Sequence, residues 1–335
     1  MEYSSSTKVS VMMEYLKTSQ NSIKLKQVLI RYNLLLIFLL FILIGSLVSP
    51  QFLTQGNISN LLQQSSLVGI ASVGMTFVIL TGNIDLSVGS VAAFSGMSVA
   101  ILISQGMNIW LAVLVSLIAG VVAGSALGGL SAYLLVPSFM TTLAGLVGIR
   151  GITYLLSDGT PVSGIPKELS YFGSGRIAGV PIVGIIFIVV SIICALLLKY
   201  TVFGEHVYAT GSNSEASRLS GVNTKRVVTI TFALCGGLAA FSGILLTARL
   251  TIGQPTASSG LELDAIAAVV LGGTSLFGGR GGIFGTVIAV FMLAVIRNIF
   301  NLVGLGSFYQ MVITGVVLII ALVLNRLVDN RGGRS

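Results

Sequence analysis

The side chains able to do chemistry are few, and their spacing excludes most chemistries. The chain has a single histidine, His206, so neither a histidine metal cluster nor an H-E-x-x-H helix can be built. It has no G-x-S-x-G and no Gly-Lys dipeptide, which removes the serine-hydrolase elbow and the Walker phosphate loop. No catalytic site and no metal site are expected, and no route to nucleotide hydrolysis is visible.

Three polar groups remain. The first is Thr81–Ser90, which carries Asn83, Asp85 and Ser87 inside otherwise apolar sequence. Asp85 is the only acid between Glu14 and Asp158. An ionisable group at membrane depth is a functional-site hypothesis by default. The plainer reading is that Asp85 or Ser87 caps the next helix at the cytoplasmic interface. The second group is a set of carboxamides: Gln63, Gln64, Asn298, Asn301 and Gln310, with Arg297 adjacent. Such groups are costly against lipid, so they should face the interior. There they either bond helix to helix or line a path for a hydroxyl-rich solute.

The third group is the long polar stretch Glu205–Arg226, with two acids, three bases and His206. Within Gly211–Gly221, Ser212 or Ser214 is placed to cap a short helix whose first turn holds Glu215. Arg218 and Leu219 follow Glu215 by three and four residues, so one face mixes charge and apolar surface. Gly211, Asn213, Glu215, Ala216, Arg218, Leu219 and Gly221 are thus expected to form a docking surface for another protein.

The elements around these groups are membrane helices. Of 335 residues, 54% are hydrophobic and 8% charged, with a mean hydropathy of +1.00. A soluble domain carries about 25% charged residues. The fold class expected is all-α, a polytopic helical bundle. Cys194 and Cys235 lie in apolar runs and read as small buried hydrophobes, without a disulfide. Apolar segments run Leu34–Val48, Ile58–Leu80, Leu86–Ser104, Ile109–Val136, Phe139–Leu156, Ile182–Leu198, Val227–Ala248, Leu263–Leu271, Ile283–Val303 and Phe308–Leu324. That makes about ten, with the one near 263–274 too short to cross about 30 Å of hydrocarbon and therefore broken or re-entrant.

The domains expected are a basic tail (1–32), a transmembrane domain (33–325) with a polar loop at 201–226, and a C-terminal tail (326–335). The first apolar run is kept as a span, since its long polar lead does not suit a signal peptide.

The net charge of +8 reflects orientation and not nucleic acid. One side collects Lys8, Lys17, Lys24, Lys26, Arg31, Lys199, Arg218, Lys225, Arg226, Arg280, Arg326, Arg331 and Arg334. The other holds only Lys167, Arg176 and Arg249. By the positive-inside rule both termini are cytoplasmic. The outer loop Asp158–Pro181 is then large enough to be a docking surface.

Two glycine patterns complete the reading. Gly120, Gly124 and Gly128 fall on one helix face, a stripe that admits another backbone. Seven glycines between Leu271 and Gly285 read as a tight inner-face turn abutting the polar loop.

At these motifs the chain resembles the permease subunits of bacterial ATP-binding-cassette monosaccharide importers, a group that includes xylose, galactose, arabinose and autoinducer-2 permeases. Within it the ribose permeases are the most similar. The resemblance is carried by Gly74–Gly89, Ala209–Gly221, Leu263–Ser275 and Tyr309-Gln310-Met311, and runs from about residue 34 to 325. It implies a pathway formed by two permease chains in the bacterial cytoplasmic membrane. ATPase subunits would dock on the loop around Glu215–Gly221, and a soluble sugar-binding protein would deliver solute outside. No cofactor is bound by the chain itself, ATP being used by the partner. Two departures from the group's pattern are Ser217, where alanine is usual, and Gly82-Asn83-Ile84-Asp85, where Gly-Ile-Asp is usual. The alternative reading is an ion-coupled secondary transporter with Asp85 as its proton or sodium site.

Overall fold

The computed structural model describes residues 33–306 together with Tyr309, Val312, Gly315, Val316 and Ile319. The expected tails 1–32 and 326–335, Gln310 and most of the segment Phe308–Leu324 lie outside the described residues. The described chain is almost entirely helical. Its elements are α1 (Asn33–Val48), α2 (Gln55–Leu80), α3 (Val88–Ser104), α4 (Ile109–Leu134) and α5 (Ser138–Ser157). There follow β1 (Val162–Ser163), α6 (Lys167–Ser174), β2 (Arg176–Ile177), β3 (Val180–Pro181), α7 (Ile182–Tyr200), α8 (Val202–Ser212) and α9 (Ser214–Leu219). The last are α10 (Thr224–Leu250), β4 (Ile252–Gly253), α11 (Leu261–Leu271) and α12 (Ile283–Leu302).

Short polar side chains start the helices where the sequence provides them. Thr54, Asn108 and Asn223 accept backbone N–H groups at the first turns of α2, α4 and α10, which satisfies amides that have no partner within the helix. Six helices among the described residues are long and apolar enough to cross a membrane: α2, α4, α5, α7, α10 and α12. At about 1.5 Å per residue, α3 with 17 residues reaches about 25 Å and α11 with 11 residues about 16 Å. Each is short of about 30 Å of hydrocarbon.

Two helices form the centre. From Ile70 to Leu80, α2 is buried without interruption, and α10 is buried along much of its length. They run antiparallel. Gly74 meets the Cys235 backbone, and seven residues away in each chain direction Ser242 Oγ donates to the Leu67 carbonyl at 2.7 Å. The stripe Gly120, Gly124 and Gly128 brings α4 against α10 at Ala240, Gly236 and Phe232. Around this pair the architecture repeats with its direction reversed. After α2 comes a non-helical run (81–87) and the short α3, which packs on α10. After α10 comes another non-helical run (251–260) and the short α11, which packs on α2. Outside these, α4 lies on α10 and α12 lies on α2.

The two ends of the bundle differ. At one, β1 pairs with β4 (Val162↔Gly253) and β2 with β3 (Arg176↔Pro181) beside α6. At the other, α8 and α9 project. Each of these loops holds more structure than its composition indicated. The stretch 201–226 holds two helices joined by the single extended residue Asn213, and Asp158–Pro181 contains a helix, the β2–β3 pair and the strand β1, which pairs with β4.

The glycine stripe yields a first prediction. A Cβ at Gly124 would fall inside 3 Å of the Phe232 carbonyl oxygen, whereas nothing lies within 4 Å at Gly129. Gly124→Ala should lose about 1–3 kcal/mol through overpacking, read as a lower melting temperature in detergent, and Gly129→Ala should not.

Candidate functional site

The expected docking surface is built from α8 outward. Phe203 stacks on Phe77 of α2 with ring centroids 6.3 Å apart, and Val207 is fully buried. So α8 is fastened into the core, while α9 hangs beyond it. The cap of α9 is Asn213, whose Oδ1 accepts the Ala216 N–H at 2.9 Å. That corrects the expectation of Ser212 or Ser214: an asparagine in extended backbone positions its carbonyl oxygen against the third amide ahead, whereas both serines lie within helices. Ser217, the departure from the usual alanine, turns inward and donates to the Asn213 carbonyl at 2.8 Å, away from the exposed face. That face holds Glu215, Ala216, Arg218 and Leu219, with Leu219 74% exposed. Leucine in that position on a six-residue helix stabilises nothing within the chain.

Arg218 bonds Glu215 through both Nε (3.0 Å) and Nη2 (2.6 Å). Those bonds, and then the guanidinium charge, hold the Glu215 carboxyl below the usual glutamate range. The pair is therefore fully formed above the pKa of a free glutamate and is lost as pH falls through the lower folded value. At neutral pH it presents a fixed fork of opposite charges.

Behind α9 three backbones meet. The Gly279 N–H donates to the Leu80 carbonyl at 2.9 Å, tying the glycine turn to the end of α2. A Cβ at Gly211 would overlap both Leu80 O and Gly279 N, and one at Gly278 would meet Gly82 and Gly211. The Tyr208 hydroxyl donates to the Gly281 carbonyl at 2.9 Å. The glycines are needed here because backbone touches backbone; Gly82, Gly278 and Gly279 also take positive φ. The end of α8, the end of α2 and the α11–α12 turn thus form one contact, and the turn abuts the polar loop as expected.

Asp85 lies well inside the bundle. It is 1% exposed, and its neighbour Cys235 is eleven residues into the 27-residue α10, which places it far from that helix's polar start. Its Oδ1 accepts the Ser87 N–H (2.8 Å) and hydroxyl (2.6 Å). These bonds close a turn just ahead of α3 and do not reach the helix's own amides, since its N-cap Ser87 makes no side-chain cap bond; the expected cap is not formed, and Asp85 is buried beside the middle of α10. After Leu80 the chain turns back into the protein before α3 begins. Asn83 folds onto Thr81, its amide donating at 3.1 Å to the carbonyl and 3.0 Å to the hydroxyl.

The carboxamides do not converge with Asp85. Gln63 donates to the Gly173 carbonyl of α6 at 2.9 Å. Asn57 and Asn298 exchange amide bonds at 2.8 and 2.7 Å, joining α2 to α12. Gln64 and Asn301 are exposed, contrary to the expectation of interior positions. Gln64 and Asn298 do line one small, partly open cavity together with Asp264 and Arg297. These last two form a bidentate ion pair, with Arg297 Nη1 at 2.9 Å from Asp264 Oδ2. The pair was missed in the sequence although its signal was present: one acid in the short segment and one base in the next, each uncompensated within its own run.

Comparison with known proteins follows this geometry. The profile of the branched-chain amino acid transport system permease component matches residues 57–322, and the chain belongs to that family. The ribose import permease protein RbsC of Escherichia coli K12 is 43% identical over 305 residues, 89% of this chain and 92% of that protein. The protein of the same name in Bacillus subtilis is 42% identical over 315 residues, 93% and 98% of the two chains. The D-allose transport system permease protein AlsC of Escherichia coli is 36% identical over 289 residues, 85% and 88%. No solved structure matches the chain.

The ion pair carries the prediction here. Arg297→Met strands the Asp264 carboxylate, whose side chain keeps only 21% exposure, and should destabilise the protein in detergent. The loss should be below the about 3–5 kcal/mol of a fully buried pair. Adding Asp264→Leu to Arg297→Met should recover most of it, since the double variant leaves no unpaired charge.

Proposed function

We propose that this family member is the membrane-spanning permease subunit of an ATP-driven importer that passes a monosaccharide, ribose foremost, across the bacterial cytoplasmic membrane. The observation that carries the reading is α9, a short helix with charged and apolar side chains exposed together, held rigidly against the ends of the membrane helices. The names of the relatives supply the solute class. On this reading ten segments cross or enter the membrane, both termini are cytoplasmic, and α8–α9 face the cytoplasm. Cytoplasmic ATPase subunits dock on Glu215, Ala216, Arg218 and Leu219. A binding protein delivers sugar to the end that holds α6 and the strand pairs, and a second permease chain completes the path. The chain itself holds no nucleotide.

Coupling then follows from packing. ATP binding closes the ATPase pair and displaces α9. The backbone junction at Gly211, Gly82 and Gly278–Gly279 passes that displacement to α2 and to the α11–α12 hairpin together. Contacts without side chains between them leave little slack, so the bundle rocks as packed bodies between outward- and inward-open states. Sugar affinity at the permease can be low, because the binding protein has already selected the solute.

Uptake of radiolabelled ribose into vesicles tests this, with the ATPase and binding protein present or omitted and ion gradients collapsed. Uptake is expected only when both partners and ATP are supplied. Glu215→Lys should lower it by about tenfold or more, equivalent to losing 1.4 kcal/mol of docking, and should release the ATPase on purification. Uptake by this chain alone that dies with an ion gradient would overturn the reading and make Asp85 the ion site. Gly211→Ala should separate docking from transport: ATPase still co-purifies, while uptake per ATP hydrolysed falls.

A further inference from the structure

The run from Gln254 to Gly260 was given no role by its sequence, and its position asks for one. At its upper end Gly253 sits against Met97 and Ala100 of α3; at its lower end the Ser258 carbonyl sits against Gly89, the second residue of that helix. Over that distance the segment descends about 14 Å along α3, taken at about 1.5 Å per residue. It then enters α11, whose Asp264 is paired with Arg297 of α12. The descent is into the bundle, and it is made without helix.

Non-helical backbone at membrane depth is tolerated only where protein buries it or water reaches it. One side of the run is buried by a dedicated arginine. Arg150 of α5 donates from Nη1 to the Pro255 carbonyl at 3.0 Å and the Ala257 carbonyl at 2.7 Å, with Glu262 close enough to act on its charge. Pro255 has no N–H to satisfy, and its side chain is buried. On the other side Gln254, Thr256 and Ser259 are exposed. The Ser259 hydroxyl donates to the Thr256 carbonyl at 2.8 Å; facing lipid, the Gln254 amide and the Thr256 hydroxyl would each cost about 1–3 kcal/mol. On α5, the helix that supplies Arg150, Ala144, Gly148 and Gly151 are also exposed, and nothing lies within 4 Å of where a Cβ at either glycine would stand. The run thus presents polar side chains outward, and the helix that pins it presents small ones.

We propose that Gln254, Thr256 and Ser259 form the wall of the water-filled conduit through which a neutral polyhydroxylated solute passes. The inference rests on the transport reading above and adds the residues that meet the solute. The chemistry fits that class: the Gln254 carboxamide and the Thr256 hydroxyl each donate and accept, the Ser259 oxygen accepts while its proton is held by the Thr256 carbonyl, and Arg150 is occupied by backbone carbonyls. Anionic solutes are given no free charge to bind. The three side chains exchange hydrogen bonds with a passing sugar as they do with water, so they guide it without holding it.

Accessibility tests this independently of the energy source. Thr256→Cys and Ser259→Cys are made in full-length chain with Cys194 and Cys235 replaced by alanine, assembled with its partners in sealed vesicles. Both should react with a charged, membrane-impermeant methanethiosulfonate, and saturating ribose should slow the reaction several-fold. Ile193→Cys, on the exposed apolar face of α7, should not react. Labelling of 256 and 259 only by a lipid-soluble maleimide, or oxidative disulfides between copies without any reagent labelling, would overturn the proposal and leave a lipid face or a dry seam. Thr256→Ser should keep the KM for uptake and Thr256→Val should raise it; equal KM values would also overturn it. ATP-dependent uptake by the parent lacking both cysteines decides the transport reading separately.

Discussion

Hydrocarbon offers no partner for a backbone amide or carbonyl, and this constraint shapes the chain at the two places where it abandons helix. In a regular span the i→i−4 bonds satisfy the backbone for any apolar sequence. Where helix stops inside the bundle, every freed group needs a named partner. At the first break the Asn83 N–H returns to the Val78 carbonyl (3.2 Å), the Ile84 N–H goes to Ser138 Oγ (3.2 Å) and the Ile84 carbonyl takes the Thr142 hydroxyl (3.2 Å). Asp85 takes the Ser87 N–H. At the second, Arg150 reaches over from α5 to two carbonyls. In both cases α5 supplies partners, which explains polar residues on a helix that otherwise faces outward.

Satisfying backbone this way brings backbones close, and close approach selects glycine. The same physics recurs at α4 on α10, at Gly74 on Cys235 and at the junction beneath α9. In lipid no hydrophobic gain separates one helix pairing from another, so contact area and backbone approach decide which helices stay together. A junction of glycine backbones has a mechanical consequence as well: with no rotamers to absorb a displacement, motion at one strand is delivered to the others. The element that protrudes and the two helices that are broken are joined where the chain is least compressible.

What the sequence made legible follows from the same rule. Apolar runs and their ends were readable because hydrocarbon thickness sets length, so the expected Ile182–Leu198 and Val227–Ala248 lie within a few residues of the helices Ile182–Tyr200 and Thr224–Leu250 at each end. The short segment at 263–271 was recognisable as a break for that reason. The short helix α9 was readable because Glu215, Arg218 and Leu219 share a face by spacing alone, although its cap was assigned to the wrong residue. Depth was not readable. Nothing local distinguishes an Asp85 at an interface from one folded back beside Cys235, because that difference depends on a contact 150 residues away. Pairing across helices was equally hidden: Asp264 and Arg297, or Asn57 and Asn298, are each unremarkable until α2, α11 and α12 are set antiparallel.

The reversed repetition around α2 and α10 bears on how such a bundle moves. Each central helix carries on its flank the short helix of the other half: α3 rests on α10 and α11 rests on α2. A tilt of α2 therefore carries α11 with it, and through Asp264–Arg297 also α12, while α3 and α4 stay with α10. The two groups meet along the central pair, where Gly74 lies on the Cys235 backbone and Ser242 bonds the Leu67 carbonyl. One non-helical break belongs to each group. Helical backbone there would have to strain its own bonds, whereas side-chain partners such as Arg150 and Asp85 can follow the backbone they hold. The breaks are thus compatible with motion for the same reason that they are tolerated at all: their hydrogen bonds come from side chains with freedom to move.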